Sequence, residues 1–306
     1  MFLRDGSRMT APPHRDGEGE GKLMGYLHIE NLYKNQMILS FKECYALEKI
    51  HGTSAHVGWK DGKVFYFSGG ASHGIFAELF DENELVAKFS NAGPAFILYG
   101  EAYGGKMQGM SGTYGKELKF IVFDVRIGEY WLSVEKAHAF AGAMGFEFVD
   151  YVKIPTTLEA IDFERDKPSA QAVRNGTTEP KPREGIVLRP PFEVIVNNGD
   201  RIISKHKRED FKETKTDREV TDPDKLKILS DAEKIADEWV TEMRLTHVLD
   251  KLGNPTELEK VPKVISAMIE DVLREAAGEI VESKEAKRAI GRLTVELYKK
   301  RVCVLK

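Results

Sequence analysis

The sequence predicts an α+β fold followed by a small all-α region, on three observations. From Tyr26 to about residue 220, short segments rich in β-branched and aromatic residues recur between Gly, Pro and charged residues, with helical stretches among them. After DREVTDPDK (217–225) the apolar residues recur only at helical spacing. A length of 306 residues suggests about two domains. The expected organisation is a mobile tail over 1–22, a mixed domain over 23–220 and a helical C-terminal domain over 221–306.

Each element has its own reason. Residues 1–22 are rich in Gly, Pro and charge and lack the apolar stretch of a signal peptide. KVFYFSGG (63–70), AFILYGEAYGG (95–105), KFIVFDVRIG (119–128), EGIVLRP (184–190) and RIISKHK (201–207) read as strands. SVEKAHAFAGAMG (133–145) reads as a helix ending on a C-cap glycine. The polar, turn-rich segment 166–184 reads as a loop leading into a strand. In the last third, Ser230 and Glu233 form a capping-box pattern before Ile235, Trp239 and Met243. Pro262 opens a second helix, with Val264, Met268 and Val272 on one face. A third helix runs from about Lys284 to Arg301, lined by Ile290, Leu293 and Leu297, with Gly291 as its weak point.

Composition narrows the function classes. Charged residues make up 31%, and no apolar run is long enough to span a membrane. Two distant cysteines, Cys44 and Cys303, offer neither a disulfide framework nor metal-ligand spacing, so a reducing, cytoplasmic setting is expected. Two basic stretches stand out: seven Lys/Arg against four Asp/Glu from Arg201 to Arg218, and eight against two from Lys284 to Lys306. Such stretches steer anionic partners, although a plain solvated face is the commoner explanation.

The chemistry starts from ALEKIHGTSAH (46–56), where Lys49 sits among Glu48, His51, Gly52 and two hydroxyls. A nucleophilic lysine needs a phosphate site, a metal site and a lowered pKa. Lys205 and Lys207, two apart in a strand, place both ammonium groups on one face and His206 on the other. Their charge suits a bound phosphate and depresses the pKa of a neighbouring lysine. Glu101 and Glu184, at predicted strands, suit a magnesium bound to phosphate, often through water. Phe123 offers a ring for a purine base. Taken singly, these are an exposed strand face, two strand-end glutamates and a core aromatic. GEAYGGKM (100–107) has P-loop spacing at Gly100, Gly105 and Lys106, but Met107 stands where magnesium needs Ser or Thr, so a P-loop is rejected.

The order of the segments is more specific than any one of them. EKIHG, GEAYGG, FIVFDV, EGIVLR and SKHK resemble motifs I, III, IIIa, IV and V of the covalent nucleotidyltransferases, which include polynucleotide ligases and mRNA-capping guanylyltransferases. EKIHGTS, SGGASH and YGEAYGG look most like the RNA ligase 2-type branch of ATP-dependent RNA ligases, over residues 26–210. The resemblance implies an adenylation domain of antiparallel sheets and helices. It implies that Lys49 attacks the α-phosphate of ATP and carries AMP. Glu48 would sit near the adenine edge, His51 and Gly52 beside the nucleotide, and Phe123 against the base. Glu101 and Glu184 would meet the ribose or the hydration shell of Mg2+ or Mn2+, and Lys205 and Lys207 the phosphates. RNA ends or nicks with 3′-OH and 5′-phosphate would then be joined.

Two departures fall on the substrate side. Ser54 replaces the Asn that often follows the lysine by five residues, and SGGASH with His73 stands where many ligases carry an Arg. Ser54 and His73 are the corresponding RNA-contact candidates. A helical C-terminal region in place of an OB-fold favours an RNA ligase over a capping guanylyltransferase using GTP. A DNA or mixed-nick ligase and a noncatalytic RNA-binding relative are the remaining alternatives.

Overall fold

The computed structural model describes residues 25–220 and 229–304. The expected tail over 1–22 and most of the boundary near residue 221 lie outside the described residues. The strands are β1 (Glu43–Lys49), β2 (Thr53–Lys60), β3 (Lys63–Ser68), β4 (Ala95–Gly104), β5 (Leu118–Ile127), β6 (Tyr130–Trp131), β7 (Tyr151–Pro155), β8 (Gly185–Arg189) and β9 (Ser204–Lys207). Among them lie the helices α1 (His73–Ala77), α2 (Glu82–Phe89), α3 (Ser111–Tyr114), α4 (Val134–Ala143), α5 (Leu158–Arg165) and α6 (Ala170–Arg174). Helices α7 (Ala232–Trp239), α8 (Glu242–Lys251), α9 (Val261–Glu275) and α10 (Lys284–Val304) follow.

All the strand ladders are antiparallel. One sheet runs β7-β1-β8-β9 and the other β3-β2-β4-β5-β6. The period-two pattern of β1 explains its place: Tyr45 and Leu47 join the core shared with the second sheet, while Cys44 and Ala46 join a smaller core with Ile161 of α5. Each of the five predicted strand segments contains an observed strand. The helix over 133–145 is α4, closed by Gly145 at φ 88 as a left-handed cap.

Three expectations need correction. The stretch 166–184 is not all loop: Ser169 caps α6, its hydroxyl accepting from the Ala172 amide at 3.0 Å. The capping residue of α7 is Asp231, not Ser230; its carboxylate accepts from Glu233 and Lys234 amides at 3.0 and 3.1 Å. Met243 does not continue α7, because Thr241 leaves the helical region and starts α8, accepting from the Arg244 amide at 3.2 Å.

Residues 229–302 build a core of their own around Ile235, Trp239, Met268, Ile290 and Tyr298. Gly291 lets α10 approach α9 closely, since a Cβ there would stand 3.2 Å from Ile265 Cγ2. This helical unit docks on the two-sheet unit through polar contacts. Glu279 receives the Tyr33 hydroxyl at 3.0 Å, Arg218 Nε at 2.9 Å and Lys34 Nζ at 2.9 Å. No described helix is long and apolar enough to cross a membrane.

Candidate active site

Cross-strand register brings the lysines together. Lys49 stands opposite Gly185 of β8, and Gly185 opposite Lys207 of β9; one row along stand Leu47, Val187 and Lys205. Opposed residues share a face of the sheet, so all three lysines lie on the face turned toward the second sheet. His206 points the other way, to Asp162 of α5 at 2.7 Å. Both outcomes match the two-residue spacing. Gly185 leaves a gap between Lys49 and Lys207, and its φ of 156 and the nearby His206 carbonyl leave no room for a Cβ.

Glu184 fills that gap. Its Oε2 accepts from Lys49 Nζ at 2.8 Å and meets His51 Nδ1 at 3.1 Å, while Oε1 meets Lys207 Nζ at 2.9 Å. Burial opposes ionisation, but Lys49, Lys207 and His51 outweigh it and hold the carboxyl well below its usual range. Lys207 is also ion-paired to Glu213; against the cost of burial, the two carboxylates raise its pKa. Burial lowers the pKa of Lys205, which pairs with Glu275 of α9 at 3.1 Å.

The lysine face opens on a cavity of about 500 Å³ between the sheets. Lys49, Lys205, Glu101, Phe123, Glu48 and Ser54 all line it. Phe123 is the extra residue of a β-bulge, where β5 runs from Val122 opposite Gly100 to Asp124 opposite Tyr99. A bulge re-aims a side chain, and here the ring reaches the cavity wall. Behind it, buried Asp124 accepts from Arg189 at 2.8 Å, Arg201 at 2.6 Å and the Tyr26 hydroxyl at 2.6 Å. Tyr26 packs its ring edge-on to Phe123 at 4.9 Å.

Glu101 enters from the second sheet, opposite Ser54. Burial pushes its carboxyl up to about 8, against the pull of Lys49. Among the described residues no three His, Cys, Asp or Glu side chains form a metal cage. Glu184 is taken by cations on both oxygens. Glu101, half-buried on the cavity wall and outside any ion pair described, is the donor that fits a hard divalent cation whose other ligands are phosphate oxygens and water.

The remaining sequence candidates divide. The Glu48 carboxylate is engaged by Ser169 Oγ at 2.5 Å and the Ala170 and Gln171 amides at 2.9 and 3.2 Å, so it anchors α6 as well as lining the wall. His51 lies behind Glu184, its ring 5.0 Å from those of Phe211 and His247. Gly52 is off the wall; a Cβ there would collide with the Ala102 carbonyl. His73 is exposed at the start of α1 and does not line the cavity. Sequence reasoning missed Glu213, His247, Lys251, Arg274 and Glu275, which reach the site from beyond motif V. Of the basic stretches, every Lys and Arg from Arg201 to Arg218 is ion-paired.

A half-buried lysine on the wall of a two-sheet cavity is clamped by a carboxylate and accompanied by two further lysines on the same sheet face. The model of the RNA ligase family matches residues 42–207, more than half of the chain. The chain belongs to the RNA ligase family. Among solved structures it is similar to a Naegleria gruberi RNA ligase with PPi, at 16% identity and a TM-score of 0.48, covering 66% of this chain and 62% of that one. A mutant of that ligase with ATP and Mn is similar at 16% identity and a TM-score of 0.48, over 60% and 56% of the two chains. The chain thus spans less than two thirds of the solved structures it matches. A comparison with curated proteins finds no match.

Proposed function

We propose that the chain is an ATP-dependent RNA ligase that joins a 3′-OH to a 5′-phosphate through a lysyl-AMP and an adenylylated RNA end. The observation that carries this reading is Lys49 on the wall of the nucleotide-sized cavity, held by Glu184 beside Lys205 and Lys207. Residues 23–220 would be the adenylation domain and 221–306 its helical partner.

Each residue then has a task. Glu184 fixes the direction of Lys49, which must leave that carboxylate as a neutral amine before it attacks the α-phosphate. Phe123, backed by Tyr26 and the Asp124 network, presents a ring to the base. Lys205 neutralises phosphate oxygens, where charge develops during transfer, and Lys207 holds the other oxygen of Glu184 so that the clamp on Lys49 stays in place. A divalent cation, when bound, supplies further charge to the phosphates, and Glu101 is the residue placed to hold its hydration shell. Preorganised cations and position, rather than protein acid–base chemistry, carry most of the rate.

The test is the intact mass after incubation with ATP or GTP and magnesium, on protein first stripped with pyrophosphate. Wild type is expected to gain an AMP-sized adduct from ATP, and Lys49→Ala none. A GMP adduct would redirect the reading to capping chemistry; no adduct from either nucleotide would defeat it.

A further inference from the structure

The third wall of the cavity belongs to the helical unit: Lys251 at the end of α8, and Arg274 and Glu275 at the end of α9. Glu275 gathers nitrogen groups as a phosphate would. Lys205 Nζ stands 3.1 Å from Oε2, and His28 Nδ1 and Arg274 Nε stand 3.4 and 3.6 Å from Oε1. Lys251 and Arg274 converge on the neighbouring Asp271, Lys251 at 3.1 Å. Both cationic side chains keep about half their surface open, 50% and 44%, whereas Asp271 beneath them is 6% exposed. The carboxylate beneath therefore aims two accessible cations at the cavity.

The charge balance of the reaction shows what they are for. When the Lys49 nitrogen bonds to the α-phosphorus, it gives up a proton to water. The bond from that phosphorus to the bridging oxygen breaks, and its electron pair leaves with pyrophosphate. Negative charge thus grows at the β- and γ-phosphates. The two-sheet unit has little left to meet it: Lys49 is the nucleophile and Lys207 is held between Glu184 and Glu213. Of the other cations described on its wall, Arg189 is held by Asp124 and Glu193, which leaves Lys205, and the carboxylate partner of Lys205 comes from α9.

We propose that Lys251 and Arg274, together with Lys205, hold the β- and γ-phosphates of ATP, with Glu275 occupying that anion site in the nucleotide-free protein. The proposal rests on the ATP-dependent ligase reading and extends it to the helical unit. Cations that meet charge formed on the leaving group act more strongly in the transition state than on bound ATP. They have no task in the final step, because pyrophosphate has left by then.

The experiment compares three reactions of the full chain for wild type, Lys251→Ala, Arg274→Ala and Arg274→Lys. These are adduct formation at varied ATP, release of AMP from charged protein by pyrophosphate, and sealing of a 5′-adenylylated RNA. Adduct formation per unit ATP is expected to fall about tenfold or more in each alanine variant. Pyrophosphate-driven release should fall with it, and sealing at least tenfold less than either. Arg274→Lys should recover part of the loss. Equal losses in all three reactions would mean a structural role or a contact to RNA phosphate, and would overturn the proposal. Unchanged adduct formation would overturn it too. A wild type that forms no adduct defeats the ligase reading and this extension with it.

Discussion

His56 of β2 has both ring nitrogens buried without a hydrogen-bond partner, its ring stacked on Phe67 at 4.9 Å and edge-on to Tyr99 at 5.3 Å. Burial alone lowers its pKa from 6.5 to about 4. The fold therefore accepts only the neutral ring, and stability is unaffected above the unfolded value. As pH falls below 6.5 the unfolded chain takes up a proton that the folded one refuses, and stability declines until about pH 4. The loss is roughly 2 kcal/mol by pH 5. His56→Phe is thus expected to gain about that much relative to wild type between pH 8 and pH 5, read from urea unfolding at both. An unchanged difference would show that the histidine is protonated in the fold. At this scale the chemistry was legible in part. Lys49, Lys205, Lys207, Glu101, Glu184 and Phe123 fell into one constellation because strand periodicity and motif order constrain them. Glu213, His247 and Arg274 gave no such signal, since their partners lie in other elements.

Elements show a different balance. Strand segments could be read because β-branched and aromatic runs bounded by Gly or charge carry their own signal. Helix α6 could not. Five residues form it because Glu48, from a distant strand, accepts its first amides. The start of α7 is also set from outside: Leu229 bridges to Ile280, and Asp231, still extended at φ −77 and ψ 121, takes the cap. Asp231→Ala is accordingly expected to cost about 1 kcal/mol, as N-cap losses do. Ser230→Ala should stay within about 0.5 kcal/mol of wild type. Chemical denaturation of both variants decides between them, and the reverse ranking would restore the serine cap.

The whole molecule depends on how its helical unit is tied down. Glu279 is buried under Tyr33, Lys34 and Arg218, all contributed by residues before 221. Removing one member of a buried charge cluster leaves the others unpaired, typically at a cost of about 3–5 kcal/mol. Glu279→Ala is expected to loosen the docking, so that one unfolding transition splits into two. A single transition at the wild-type midpoint would show that the cluster contributes nothing. Adduct formation should weaken as well, because Lys251 and Arg274 reach the cavity only while α8 and α9 are docked.

Sequence by itself determined the strand-rich and helix-rich halves, the lysine nucleophile candidate and the motif order, because local periodicity and residue chemistry carry those signals along the chain. Tertiary structure alone decided that Phe123 turns into the cavity at a bulge, that Glu48 anchors a helix and that Glu184 joins Lys49 to Lys207. It also decided that the helical unit forms a wall of the site. Each of these depends on strand register or on docking between elements remote in sequence, and neither leaves a periodic trace in the residues that make it.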